Sequence, residues 1–120
     1  MQVKTVYICE GGYYGVVDVR LTFKDGSALQ GGDCEMNETV DVSKPLTKIT
    51  TTIEKDEYYI YSIEWFFVDG SYERMGMKDP DCGRSQTIEF ALGEILLGAV
   101  LHHDSHDLTY GIEWITGRQQ

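Results

Sequence analysis

The chain has 120 residues, 42% of them apolar and 12% aromatic, and a formal net charge of −10. That length suits one domain, 1–120, with a single core that needs no staples, and the apolar share excludes a disordered chain. Ten basic residues against twenty acidic ones argue against nucleic acid and anionic membranes as partners, because phosphate contacts need Lys and Arg. A neutral ligand, a cation or a basic protein surface is compatible with the charge.

The first predicted strand is Val3-Lys4-Thr5-Val6-Tyr7-Ile8. A polar, glycine-rich connection over 10–15 leads to a second, Val17-Asp18-Val19-Arg20-Leu21-Thr22-Phe23, which runs into Asp25-Gly26-Ser27. Apolar residues alternate with polar ones, the mark of a half-buried strand, and Asp-Gly marks a tight turn. Ala28-Leu29-Gln30 continues the chain, Gly31-Gly32 follows, and Thr39-Val40-Asp41-Val42 forms a short strand that Ser43-Lys44-Pro45 breaks. The order then recurs. A strand over 46–53, a connection over 54–59 and a strand over 61–68 end in Asp69-Gly70-Ser71, followed by strands over 72–77 and 86–90. A last hairpin pairs 94–101 with 110–115 through a connection over 102–107. Residues 90–98 contain Leu and Ala and could form a helical turn, but Gly93 and Gly98 favour strand.

Alignment of Val19, Ile63 and Ile112 also aligns Leu21, Trp65 and Trp114, and it places the first two Asp-Gly-Ser turns together. A strand-and-turn unit used three times is therefore expected. Each of the first two hairpins, with its two further strands, makes a four-stranded sheet of meander or Greek-key type. About ten strands result, and no linker or low-complexity tract interrupts them.

The three cysteines, Cys9, Cys34 and Cys82, are odd in number, which argues against a closed disulfide framework and for reduced thiols in a cytoplasmic protein. A Cys34–Cys82 bridge is the alternative, since both follow the Asp-Gly turns at similar places. No hydrophobic leader and no apolar run long enough to span a bilayer stands out, although a leader already removed would leave no trace. Asn37-Glu38-Thr39 fits a glycosylation sequon, which matters only on a secreted chain.

Several stretches together resemble the jacalin-related lectins, a family with the β-prism I fold. Residues 16–26 look like the family's alternating strand before Asp-Gly, and Gly31-Gly32 like its following glycine pair. Residues 61–76 are similar to its central segment, Gly93-Glu94-Ile95-Leu96-Leu97-Gly98 to its Gly-x-x-Ile-x-Gly segment, and residues 108–114 to its terminal strand. The resemblance implies β-prism-like antiparallel sheets with a pseudo-threefold repeat of hairpins, and carbohydrate binding at the hairpin loops. The chain departs from the family in two places. Family members have about twelve strands, and the missing pair falls before Val3. The family's sugar motif, Gly-x-x-x-Asp, falls on Ser105-His106-Asp107-Leu108-Thr109, with both ends changed.

The hairpin loops hold the candidate ligand-binding residues: Gly11, Gly12 and Tyr13 in the first, Asp56 and Tyr58 in the second, and His103, Asp104, His106 and Asp107 in the third. Carboxylates accept sugar hydroxyls, amides donate to them, and aromatic rings stack on the sugar's apolar face. The run His102-His103-Asp104-Ser105-His106-Asp107 carries metal-ligand types, but no His-Glu-x-x-His or Cys-x-x-Cys motif accompanies it, so a solvated turn is the expectation. No nucleophile elbow, P-loop or dinucleotide fingerprint is present. The sequence thus predicts a non-catalytic binding protein without cofactor or metal, with a neutral carbohydrate or glycoprotein as ligand and homo-oligomers compatible. The alternative is an acidic protein that binds a basic protein surface.

Overall fold

Strands form where Val, Ile, Thr, Tyr, Phe and Trp alternate with polar residues, because the pleat sends successive side chains to opposite faces. Most of the described strands follow this rule. The computed structural model describes residues 2–11, 15–30, 35, 37–53, 60–76, 84–103 and 109–118, and among them it contains strands and turns but no helix. The strands are β1 (Val3–Gly11), β2 (Gly15–Phe23), β3 (Ala28–Gln30), β4 (Glu38–Asp41), β5 (Leu46–Ile53), β6 (Ile60–Phe67), β7 (Tyr72–Gly76), β8 (Arg84–Glu89), β9 (Glu94–His103) and β10 (Thr109–Arg118). The all-β fold class expected from the sequence is what the chain adopts. The segment 90–98 forms a turn at Leu92-Gly93 and then the start of β9, not a helical turn.

Two groups of four strands are wired alike. The first runs β4-β1-β2-β3 and the second β8-β5-β6-β7, all neighbours antiparallel. Each central hairpin is thus flanked by the two strands that follow it, which is Greek-key order and not a meander. A single pairing, Val16↔Ile60, joins the groups. The third hairpin, β9-β10, stands as a two-stranded sheet.

The turns that close the first two groups have one chemistry. The backbone N–H and the hydroxyl of Ser27 both donate to Asp25 Oδ1, at 2.9 and 2.6 Å, and Ser71 treats Asp69 Oδ1 in the same way at 2.8 and 2.6 Å. Gly26 and Gly70 take φ of 90° and 87°, a region that strains residues with a Cβ. Asp41 and Ser43 repeat the side-chain pattern at the end of β4.

The inner faces of the strands meet in one core. Val6, Ile8, Val19 and Leu21 come from the first group, Ile49, Ile63, Trp65 and Met75 from the second, and Leu96, Ala99 and Ile112 from the third hairpin. Val19, Ile63 and Ile112, which the sequence alignment superposes, all belong to this cluster. Trp65 is fully buried, donates its Nε1–H to Met75 Sδ at 3.2 Å, and meets Trp114 edge-on with ring centres 5.2 Å apart. Ser62 departs from the alternation expected for β6. It shares the polar face with Glu64 yet is fully buried, with Thr52 and Gly76 as its partners on either side in the sheet.

Cys9 is disulfide-bonded. With three cysteines in the chain, its partner is Cys34 or Cys82, so the expectation of reduced thiols and the alternative Cys34–Cys82 bridge are both corrected. Spacing along the sequence carried no information about which cysteine β1 brings near the others.

Candidate functional site

The connecting ends of the first two hairpins meet through backbone pairing, and the end of the third reaches the same place through a shared hollow. β1 and β2 remain paired up to Gly11↔Gly15, so Glu10, Gly11 and Gly15 belong to the ladder and not to a loop. Val16 then pairs with Ile60 at the start of β6. Ile53, the last residue of β5, lines one hollow together with His102 and Gly111 of the third hairpin. His102 and His103 lie in β9 and not in a loop; His103 is its last residue, opposite Thr109. Of the residues expected to bind ligand, Gly11 and His103 thus end strands at this pole. Gly12, Tyr13, Asp56, Tyr58, Asp104, His106 and Asp107 lie outside the described residues.

The hollow has a volume of about 240 Å³ and adds Arg84 and Gln86 of β8 and Ile112 and Glu113 of β10 to its wall. Glu113 Oε2 lies 3.3 Å from His102 Nε2, an ion pair when the imidazole is protonated. The wall offers a guanidinium, an amide, an imidazole and a carboxylate around one apolar floor, a set that donates to and accepts from neutral hydroxyl groups. Sequence reasoning missed Arg84, Gln86 and Glu113. Glu113 was visible as the polar member of Ile112-Glu113-Trp114, but only the fold sets β8 beside β10.

Two other surfaces differ in character. At the opposite pole, Pro45, Leu46, Val68, Phe90, Leu92 and Ile95 line a hollow of about 500 Å³. Leu92 is 94% exposed at its rim. The nearby carboxyls of Asp25, Asp41 and Asp69 are held below their usual value of 3.8, first by the serine hydroxyl and then by the serine amide of each turn. The outer face of the second group is polar and ordered. Thr50 pairs with Thr87 and Thr52 with Ser85, each at 3.0 Å. Tyr72 donates to Glu64 at 2.7 Å and packs on Phe66, with Lys48 above that ring. Desolvation, and then the Glu64 carboxylate, push the Tyr72 hydroxyl above its usual value.

No family model and no curated protein sequence matches the chain. Among solved structures it is similar to PirB, with a TM-score of 0.72 and 15% identity over 99% of this chain and 30% of that one. It is similar to the V. cholerae biofilm matrix protein Bap1, with a TM-score of 0.67 and 18% identity over 95% of this chain and 20% of that one. It is also similar to the Calystegia sepium agglutinin, with a TM-score of 0.66 and 20% identity over 98% of this chain and 84% of that one. The chain thus spans under a third of the first two proteins and most of the third. At these identities the likeness is one of fold: the chain is an all-β protein built like an agglutinin and like parts of two larger proteins.

Proposed function

We propose that the protein is a non-catalytic, carbohydrate-binding module of β-prism type, with its ligand held at the pole where the three hairpins end. The observation that carries this reading is the gathering of three hairpin ends at one place, through Val16↔Ile60 and through the hollow that Ile53 shares with His102 and Gly111. Strand residues from the second group and the third hairpin then line one hollow that neither forms alone. The fold likeness to an agglutinin supports the ligand class, although fold by itself does not assign function. The matching wiring of the first two strand groups supports a repeated unit. The Cys9 disulfide supports an oxidising compartment, where such bonds persist and where glycans are exposed.

Glycan-array screening followed by titration calorimetry tests the reading. Saturable binding of a neutral glycan, little changed between low and high salt, is the expected result. Absence of glycan binding, together with capture of basic proteins that weakens steeply with salt, favours the acidic interaction protein instead.

A further inference from the structure

The hollow at the pole away from the hairpin ends has a volume of about 500 Å³. That lies within the range of small-molecule sites, which are mostly apolar with a few placed polar groups. Gln2 before β1, residues 43–47 leading into β5, and the turn from Phe90 to Ile95 build it, with Val68 at its side. The backbone groups of this wall are engaged. The Val68 N–H donates to the Pro45 carbonyl at 3.0 Å, the Phe90 N–H to the Thr47 carbonyl at 2.9 Å, and the Glu94 N–H to the Ala91 carbonyl at 2.9 Å. The Ala91 N–H donates to Glu94 Oε1 at 2.6 Å, and Arg118 Nη1 to the Leu92 carbonyl at 2.8 Å. An extended peptide therefore finds no open ladder here.

The charged groups at the rim are engaged too. Lys44 lies 3.4 Å from Asp69 Oδ2, donates to Ser71 Oγ at 2.9 Å and stands over the Phe67 ring. Asp41 and Asp69 accept from their own serines, and Arg118 stands opposite Glu94 in the β9–β10 ladder. Among the polar side chains of the wall, the Ser43 hydroxyl donates to Asp41 Oδ1 at 2.6 Å and the Thr47 hydroxyl to the Phe66 carbonyl at 3.1 Å. Gln2 differs. It is 7% exposed, and its Nε2 donates to the Ser43 carbonyl at 3.4 Å, which leaves Oε1 without a donor among the described residues. A buried acceptor without a donor costs free energy that a ligand's donor recovers.

We propose that this hollow binds a neutral, largely apolar ring compound of indole or phenol type, whose single N–H or O–H donates to Gln2 Oε1 while its ring lies against Pro45, Val68, Phe90 and Ile95. A sugar is disfavoured, because most of its hydroxyls would lose water against this wall and gain no partner. An anion meets Asp41, Asp69 and Glu94 around the rim, and the net charge of −10 adds to that repulsion. A cation finds those carboxylates already bonded to serines or a backbone N–H. The hollow is also ready-made. The hydrogen bonds of the turn at Leu92-Gly93, with Gly93 at φ 85°, fix one wall, so a small ligand binds without ordering a loop. This site is at the far end from the hairpin pole, and its ligand is chemically unlike a glycan.

The probes are indole and N-methylindole, which has the same ring without the N–H. Each is titrated into the intact protein and followed by two-dimensional amide NMR spectra, with glycan binding measured in parallel. Saturable shifts at Val68, Phe90, Leu92 and the Gln2 side-chain amide are expected, with an indole Kd of about 1 mM, the scale for so few atoms. N-methylindole should bind about two- to tenfold more weakly, the worth of one hydrogen bond. Gln2→Leu should erase that difference. Val68→Glu, at a position 65% exposed, should abolish binding of both probes and leave the rest of the spectrum in place. No saturable shift up to about 10 mM indole, equal affinity of the unsubstituted protein for both probes, or shifts confined to the hairpin pole each overturns the proposal. So does a dimer in light scattering that Leu92→Lys dissociates, in which a second copy fills the hollow. Glycan binding is read at the other pole, so failure of either reading leaves the other standing.

Discussion

Replacing Trp65 tests the core most directly. The side chain is fully buried, its Nε1–H bonds Met75 Sδ at 3.2 Å, and its ring meets Trp114 at 69° with centres 5.2 Å apart. It therefore ties the second strand group to the third hairpin. Trp65→Ala removes the largest fully buried side chain of the described residues. Such truncations cost about 3–5 kcal/mol through lost transfer and the cavity left behind, and the aromatic pair and the sulfur contact place this site near the upper end. A chain of this size holds about 6–18 kcal/mol in all at the usual stability per residue, so the variant gives up a quarter or more of it. The melting temperature should fall by about 20 °C, at about 4 °C per kcal/mol. Trp65→Phe keeps a ring but loses the donor and should cost about 2 kcal/mol. Trp114→Ala, at a half-buried position, should cost less than Trp65→Ala. Urea unfolding followed by far-UV circular dichroism measures all three. A loss under about 2 kcal/mol for Trp65→Ala, or a greater loss for Trp114→Ala, would refute a shared core centred on Trp65.

Gly76→Ala should destabilise by more than about 2 kcal/mol, because φ is +96° and the new Cβ would press on the Tyr61 carbonyl, whereas Gly26→Ala, with open space around it, should cost only about 1–2 kcal/mol from the left-handed backbone. Ser62→Ala should leave stability unchanged or raise it by up to about 1 kcal/mol in the same assay, since the buried Ser62 hydroxyl has no hydrogen-bond partner among the described residues. The depressed carboxyls of Asp25, Asp41 and Asp69 stabilise the fold above the unfolded value near 3.8, and that contribution disappears as pH falls through their lower folded values. Replacing Ser27, Ser43 and Ser71 by Ala should move these carboxyls back towards 3.8 in an NMR titration and flatten stability against pH below that point. Thiol counting should find one free cysteine in the native chain and three after reduction, as follows from a disulfide at Cys9; reduction should lower stability by about 2–4 kcal/mol.

What the sequence determined by itself was local. Period-two alternation and β-branched or aromatic residues gave eight of the ten strands within about two residues, because a strand's faces are encoded in neighbouring positions; β1 runs three residues beyond its expected end, to Gly11. The last strand, β10, runs three residues beyond its expected end, to Arg118, because pairing with β9 extends as far as Glu94. Asp25-Gly26-Ser27 and Asp69-Gly70-Ser71 announced their turns, since the aspartate and serine that build them are adjacent in the chain. Residues 10, 11, 15, 102 and 103 were expected in loops and lie in strands, because ladder pairing continues as far as a cross-strand partner exists, whatever the local polarity. The tertiary structure alone decided which strand flanks which, that Cys9 carries a disulfide, and that β8 stands beside β10 with Arg84 and Gln86 across from Glu113. Those outcomes depend on how whole sheets bury their apolar faces against one another, and no window of neighbouring residues carries that information.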